Sequence, residues 1–388
     1  MRCAVVLLLG CLACGLLPAQ KLLLTPQRLR RLQRDRERAT ARWVNFDNRV
    51  ESAAESPERG FELALYYAVT QDPKRGREAL EWAVAHPCER RQTALVLDWA
   101  GPLASSNQRK ALTDASCPAE PTNSATSVRD TLFLKIAAGE DPEPLIDKSQ
   151  KELLASLENG GFQNSTELYA ACEYLTAARS AEHVDLRENA AQFFINLPAE
   201  LLLSLKPPNV EQPQAMMHLA ALALVALDPN LPDSQFLQAW AMEGPQTIQD
   251  GPGVAYEFLW ADPYLPGIGY QDLDPWIYDP SGRLFARKNW DSNSCWISIA
   301  ADGVDQQNCP PDWRNVTNTF GHLTLIPVIG GCATVPHFNP SETAIVWQLR
   351  PREKLVYIEN REKVEVQADP AGLLRLDRNV EGKICRSR

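Results

Sequence analysis

The sequence predicts an α+β protein in which a domain of helical hairpins precedes a small C-terminal antiparallel β-sandwich. From Thr25 to about Asp262, apolar residues recur at helical spacing, and short connections rich in Pro, Gly, Asn and Asp separate the segments. After Pro263, short segments favour Ile, Val, Leu, Trp and Tyr and often alternate with polar residues. A run of helices followed by a run of strands indicates an α domain and then a β-sandwich.

Three helix starts are predicted from a capping side chain that precedes a proline. Thr25, Ser56 and Asp72 can each accept a hydrogen bond from a free backbone N–H of the first turn through a side-chain oxygen. The proline that follows each of them fits the first helical position. Further helices are predicted to begin near Glu89, Ser106, Ser124, Pro144, Thr166, Leu186, Pro198, Gln212, Asp233 and Gly253. Short connections favour antiparallel hairpins, and about a dozen helices stacked in this way resemble a solenoid or an α/α toroid.

The predicted strands follow a stretch rich in Pro, Gly and Asp that runs from Asp262 to Gly282. They are expected at residues 285–290, 295–300, 323–328, 344–349, 355–359, 363–366 and 373–376. We therefore predict a toroid-like helical domain over residues 20–262 and a β-sandwich over residues 263–388.

The N-terminus has the pattern of a secretory signal peptide, predicted over residues 1–19. Arg2 gives the positive start, residues 3–17 are almost entirely apolar, and small Ala19 fits a cleavage site. The sequence LLGC that ends at Cys11 gives an alternative, a lipid anchor to the envelope. We expect a secreted or periplasmic protein without a membrane span, because the apolar run is short and no later run approaches its length.

The cysteines indicate a disulfide-containing protein with a free thiol. Removal of the signal takes away three of ten cysteines, and the remaining number, 10 − 3 = 7, is odd. Cys172 lies inside a predicted helix and is expected to be the buried free thiol, whereas Cys88 and Cys117 bracket a predicted hairpin. The other pairings stay open.

No cysteine pair has zinc-site spacing and the five histidines are scattered, so we predict no metal and no cofactor.

Charge and motifs exclude several classes of function. The chain has 39 Lys and Arg against 49 Asp and Glu, which is not the balance of a nucleic-acid binder. Phosphate-binding glycine loops, the Gly-x-Ser-x-Gly elbow and the His-Glu-x-x-His motif are absent from the sequence. We therefore expect no nucleotide-dependent enzyme and no zinc peptidase.

Two segments carry a resemblance to a known family. The first, residues 42–116, contains GFELALYY at 60–67, ALEWA at 79–83 and LVLDW at 95–99. The second, residues 262–296, contains GRLFARKNWD at 282–291. Both resemble secreted bacterial proteins of the heparinase II/III-like class, whose α/α toroid precedes a β-sandwich. The pattern Gly-x-x-x-x-Arg-x-x-Trp is similar to that family's entry into its sandwich.

The resemblance implies a polysaccharide lyase, which removes the proton beside a uronic acid carboxylate and expels the 4-linked sugar. An amide or Arg must partly neutralise the carboxylate, a Tyr or His acts as base, and a Tyr acts as acid. Carried to this sequence, the catalytic candidates are Asn164, Tyr256 and His322, in a cleft between toroid and sandwich. The partner is a polysaccharide or oligosaccharide, and the protein is expected to be a monomer or dimer.

The substrate-binding candidates are Arg287, Trp290 and Asn308. Arg287 is interpreted as an anion contact or as a salt bridge between domains. Trp290 and Trp296, six residues apart, are expected to share one face of a strand, as a sugar platform or as core. Asn164 has the alternative role of a helix cap, and Tyr256 that of a packed aromatic.

A second hypothesis is a non-catalytic glycan-binding or envelope-structural relative. Asn308 stands where the family has its histidine, and the nearest histidine is His322. A His322 that faces the sandwich core would favour this second hypothesis.

Overall fold

The computed structural model describes residues 22–52, 55–115, 117, 124–207, 215–243, 251–279, 283–300 and 303–309, and seven later strands. Beyond residue 309, the description covers the backbone of these strands and their pairing. The predicted signal peptide and the predicted helix start at Gln212 lie outside the described residues.

Helices occupy the chain up to Trp260, which confirms the predicted helical part. They are α1 Pro26–Glu37, α2 Ala41–Glu51, α3 Arg59–Thr70, α4 Pro73–Ala85, α5 Arg90–Ala100, α6 Ser106–Thr113, α7 Ala125–Ala138, α8 Glu143–Glu158, α9 Ser165–Glu182, α10 Ala191–Ser204, α11 Ala215–Leu227, α12 Pro232–Met242 and α13 Gly253–Trp260. Among the described residues, no helix has the length and apolar character needed to cross a membrane.

Strands begin at Trp276, so the predicted order of helices and then strands is also confirmed. They are β1 Trp276–Asp279, β2 Arg283–Arg287, β3 Trp296–Ala300, β4 Gly303–Gln307, β5 His322–Val328, β6 Cys332–Val335, β7 Glu342–Gln348, β8 Lys354–Glu359, β9 Glu362–Gln367, β10 Leu373–Leu376 and β11 Gly382–Arg386.

The strands form three sheets, with the orders β1-β2-β3-β4, β10-β7-β5 and β6-β11-β8-β9. Every described pair other than β5–β7 is antiparallel, as the sequence predicts. β5 pairs with β7 in parallel, with His322 opposite Glu342. Parallel neighbours need a crossover connection, and here that connection contains β6, a strand of another sheet.

The capping predictions hold at two of three positions. Thr25 accepts a hydrogen bond from the N–H of Arg28, and Asp72 accepts one from the N–H of Lys74. The prediction for Ser56 is wrong, because α3 begins at Arg59 and Ser56 is not its cap. The Ser56 hydroxyl instead donates to Glu62 Oε1 at 2.8 Å, since this fully buried carboxylate needs donors.

The predicted helix starts at Leu186 and Pro198 are corrected as well. Residues Leu186–Ala190 form a short 3₁₀ turn, and a single helix, α10, runs through Pro198. An internal proline removes one backbone hydrogen bond and costs about 3 kcal/mol in a helix. The helix continues because its apolar residues are buried on both sides of Pro198, including Phe194, Leu197 and Leu201.

The described residues fall into two compact units. The first comprises those within Met1–Leu154, Ala170–Glu188 and Ile248–Trp260. Its core includes Phe46 stacked on Phe258, with ring centroids 4.9 Å apart. The segment before α1 is part of this core, because Leu22 is fully buried and its carbonyl accepts from the Trp99 indole N–H at 3.0 Å.

The second unit comprises the described residues within Ala155–Tyr169, Asn189–Thr247 and Ala261–Arg388. Here α10 packs against β1 and β2, so helices and the first sheet share one core. Phe162 lies edge-on to Phe285, with ring centroids 6.4 Å apart. The Trp296 indole N–H donates to the Leu203 carbonyl at 2.7 Å, which ties β3 to the end of α10.

The described residues contain two disulfides, Cys88–Cys117 and Cys295–Cys309, with Cα–Cα distances of 5.4 and 4.6 Å. Cys172 is a buried free cysteine, as predicted. Disulfides of this kind persist in oxidising compartments, which is compatible with an exported protein.

Candidate functional site

A buried charged cluster lies in the first unit. We call it the Arg91 cluster, and its members are Glu58, Arg91, Arg129, Asp130, Glu173 and Tyr256. They come from α5, α7, α9, α13 and the turn before α3. Their proximity is therefore a product of the tertiary fold.

Arg91 is the centre of the cluster and uses all three of its side-chain nitrogens. Nε lies 2.9 Å from Oε2 of Glu173, and Nη2 lies 2.6 Å from Oε1 of the same carboxylate. Nη1 donates to the Tyr256 hydroxyl at 2.9 Å and to Glu58 Oε2 at 3.1 Å. Through Nε and Nη2, Arg91 holds the Glu173 carboxylate in the two-point geometry that guanidinium groups favour.

Arg129 provides the second cation of the cluster. Its Nη1 donates to Glu173 Oε2 at 3.0 Å, and its Nε donates to Asp130 Oδ1 at 2.7 Å. Glu173 is fully buried, so two guanidinium groups compensate its charge. A buried carboxylate is tolerated only with such compensation.

Burial governs the protonation of the cluster. It raises the pKa of Glu58 above 4.5, although Arg91 and a hydrogen bond with Tyr256 act in the opposite direction. It also raises the pKa of Asp130 above its usual range, against the effect of Arg129. Burial raises the pKa of Tyr256 well above 10, so this phenol keeps its proton at neutral pH.

The formal charge of the Arg91 cluster is negative when its carboxylates are ionised. Two arginines stand against Glu58, Asp130 and Glu173, which gives 2 − 3 = −1. The cluster therefore has no surplus positive charge with which to attract the carboxylate of a uronate.

Asn164 lies at the start of α9 and acts as its cap. Its side-chain oxygen accepts from the N–H of Thr166 at 3.1 Å and from the N–H of Glu167 at 3.4 Å. The Asn164 side chain is exposed. It belongs to the second unit, whereas Tyr256 belongs to the first.

His322 is the first residue of β5, which agrees with its expected place at the start of a strand. The structure describes its backbone, and its side chain lies outside the described part of the chain.

A second site lies in the second unit, around Arg287 at the end of β2. We call it the Arg287 site, and it consists of Arg287, Trp290, Tyr270 and the Leu205 carbonyl. The Arg287 guanidinium stands 4.2 Å from the centroid of the Trp290 ring, and Tyr270 lies edge-on to that ring at 5.2 Å. Only 1% of Arg287 is exposed, and burial lowers its pKa to about 10.

The Arg287 site contains three N–H groups without an acceptor among the described residues. They are Nε and Nη1 of Arg287 and the indole Nε1 of Trp290. Nη2 of Arg287 has only a long contact of 3.5 Å with the Leu205 carbonyl, and no described carboxylate pairs with the guanidinium. Buried donors normally have acceptors, so this site is suited to an acidic or oxygen-rich ligand.

The three predicted binding residues lie at one end of the first sheet. Arg287, Trp296 and Gln307 are register partners across β2, β3 and β4. Trp290 follows β2, and Asn308 follows β4. Asn308 has a positive φ of 57° and donates from Nδ2 to the Ser294 carbonyl at 3.3 Å.

The prediction that Trp290 and Trp296 share a strand face is wrong. β2 ends at Arg287, and Trp290 lies in the turn before β3, which begins at Trp296. That turn is built by side chains, because the Asn289 N–H donates to the Ser294 hydroxyl at 3.0 Å. Trp296 is 2% exposed and belongs to the core, whereas Trp290 is half-buried.

Sequence reasoning found Tyr256 but missed the rest of the Arg91 cluster. Arg91 and Glu173 are 82 residues apart, and each lies in a segment with ordinary helical periodicity. A charged residue inside the apolar run AACEYL of residues 170–175 was the available signal for Glu173. Among the described residues, no group of three His, Cys, Asp or Glu side chains is arranged to hold a metal ion.

Comparison with protein-family models gives no match for this chain, and comparison with curated proteins gives no significant match.

Proposed function

We propose that the protein is an exported carbohydrate-active protein that recognises uronate-containing polysaccharide, on the α/α toroid and β-sandwich scaffold of the lyases it resembles. The observation that carries this proposal is the Arg287 site, where a buried guanidinium stacks on Trp290 without a carboxylate partner among the described residues.

A uronate supplies what the Arg287 site lacks. Its carboxylate accepts a charge-assisted hydrogen bond from Nε or Nη1, and a neighbouring sugar oxygen accepts one from the other, because these two groups point to different sides of the guanidinium. An unpaired buried cation is costly, and an anionic ligand removes that cost. The apolar face of a sugar ring packs on an indole, and Trp290 is exposed enough to provide one.

The activity that accompanies this recognition is β-elimination at the uronic acid. The reaction needs an acid that protonates the leaving oxygen, and Tyr256 retains the required proton because burial raises its pKa. His322 remains the proposed base. These two roles rest on the resemblance of the sequence to the lyase family.

The second candidate function is glycan binding without catalysis. It is favoured because the polar groups of two catalytic candidates already form hydrogen bonds within the protein. The Asn164 oxygen caps α9, and the Tyr256 hydroxyl is held by Arg91 and Glu58. In this case the protein retains the Arg287 site and binds uronates without cleaving them.

The test measures both ligand binding and catalytic turnover, and it uses the exported protein. Oligouronates and neutral oligosaccharides of the same length are titrated against the wild type, Arg287→Gln and Arg283→Gln. We expect uronate binding in the wild type, a loss of at least tenfold in Arg287→Gln, and near-wild-type affinity in Arg283→Gln, whose guanidinium lies 3.6 Å from Glu200. Equal affinity for neutral and acidic sugars, or an unchanged Arg287→Gln variant, overturns the proposal.

Turnover separates the two candidate functions. β-Elimination leaves an unsaturated sugar that absorbs in the ultraviolet, so absorbance is followed over a panel of uronate polysaccharides. If the wild type forms product and Tyr256→Phe does not, the result supports the lyase function. Binding without product across the panel supports the non-catalytic candidate.

A further inference from the structure

The third sheet brings two cysteines into register. β11 lies between β6 and β8, and it pairs with β6 in the antiparallel direction. In this pairing Cys385 is the direct partner of Cys332. The neighbouring partners are Ile384 with Ala333 and Lys383 with Thr334, so the cysteine pair continues a regular ladder.

Direct register partners of an antiparallel pair have a Cα–Cα distance that a disulfide can span. Their Cα atoms lie about 4.5–5.5 Å apart, on the same face of the sheet. Disulfides span Cα–Cα distances of about 4.4–6.8 Å. The two disulfides already described, at 4.6 and 5.4 Å, fall inside the same window.

The cysteine count leaves the same two residues. Seven cysteines remain once residues 1–19 are removed, and four of them form Cys88–Cys117 and Cys295–Cys309. Cys172 is buried on α9 and free. The remainder is 7 − 4 − 1 = 2, namely Cys332 and Cys385.

We propose that Cys332 and Cys385 form a third disulfide, which joins the edge strand β6 to the interior strand β11 of the same sheet. Two thiols lose two protons and two electrons, and one S–S bond forms. The electrons pass by thiol–disulfide exchange to the disulfide of an exported oxidoreductase, which leaves as a dithiol. The bond closes a loop of 385 − 332 = 53 residues, and closure of a long loop restricts the unfolded chain strongly.

The bond has a structural consequence for β11, which occupies an interior position between β6 and β8. An interior strand leaves two neighbours without their partner when it detaches. A covalent link to β6 keeps β11 in place and maintains both pairings.

The test counts thiols in protein that has been exported through an oxidising compartment. The protein is denatured without reductant in the presence of an alkylating reagent, digested, and analysed by mass spectrometry. We expect one alkylated cysteine, Cys172, and a non-reduced peptide pair that contains Cys332 and Cys385 and separates on reduction. Alkylation of both Cys332 and Cys385, or a link from either to another cysteine, overturns the proposal.

Two single variants act as matched controls. Cys332→Ser must expose the thiol of Cys385 to alkylation, and Cys385→Ser must expose that of Cys332. Each variant should therefore show two alkylated cysteines where the wild type shows one. A variant that still shows one alkylated cysteine contradicts the pairing, whether or not its fold is weakened.

Discussion

Arg91 and Glu173 form a buried two-point ion pair, with N–O distances of 2.9 and 2.6 Å between α5 and α9. Arg129 binds the same carboxylate, so removal of this negative charge takes an anionic partner from two guanidinium groups and leaves each with one other carboxylate. A paired buried charge stabilises little by itself, but the loss of one partner is strongly destabilising.

We therefore predict that Glu173→Gln lowers the free energy of unfolding by about 3–5 kcal/mol. The measurement is urea denaturation followed by circular dichroism. Glu152→Gln, at an exposed position on α8, is the control and should change stability by about 0.5 kcal/mol or less. Equal stability of the two variants would show that the Arg91 cluster does not hold the first unit together.

Tyr256→Phe removes one hydroxyl from the same cluster. Arg91 Nη1 loses an acceptor, and we expect a loss of about 1–3 kcal/mol in the free energy of unfolding. If Tyr256 is the acid of a lyase, turnover also falls by about 10²-fold or more.

The control for that experiment is Tyr174→Phe. Tyr174 is also buried, and its hydroxyl bonds to Ser149 at 2.9 Å. We expect a comparable loss of stability with unchanged turnover. A parallel fall of turnover in both variants would mean that Tyr256 acts through stability alone.

Glu58 makes stability depend on pH. Because burial raises its pKa in the folded state above 4.5, the folded chain holds this proton more tightly than the unfolded chain. Its contribution to stability is therefore fully present below pH 4.5 and is lost as pH rises through the folded-state pKa. We expect the unfolding free energy of the wild type, relative to Glu58→Gln, to fall from pH 4.5 towards neutrality. Denaturant titrations over this interval measure it, and a difference that grows with pH refutes the assignment.

Cys172 should be unreactive in the native protein. It is buried on α9, and burial and the adjacent Glu173 raise the pKa of its thiol far above the usual range. Alkylation proceeds through the thiolate, so labelling at neutral pH should require unfolding. Native labelling at a rate close to that of a free thiol would contradict the described packing of α9.

The order of elements could be predicted because it depends on local patterns. Helical periodicity reports burial of one face, and Thr25 and Asp72 reveal helix starts through interactions within one turn. The strands that prediction missed, β1, β4, β6 and β11, are four or five residues long. The segment GVDQQ of β4 contains a single apolar residue, so it has no apolar alternation from which a strand could be predicted.

Members of the candidate sites could be predicted only where a single residue lay in a recognisable sequence motif. Arg287 was identified through its sequence motif, but its stacking on Trp290 depends on a turn that the sequence pattern read as strand. The Arg91 cluster joins residues far apart in sequence, such as Arg91 and Tyr256 at a separation of 165 positions, and periodicity carries no information on such pairs. Tertiary structure was needed for both.

The Cys295–Cys309 bond lies at the sheet end that carries Arg287 and Asn308. Under the proposed function, covalent closure orders these side chains before a uronate binds, so less entropy is lost on binding. Protein made in a reducing cytosol, or treated with a mild reductant, should lose affinity for its ligand while its helices remain folded. The proposed recognition of uronates is therefore tied to the redox state of the surroundings.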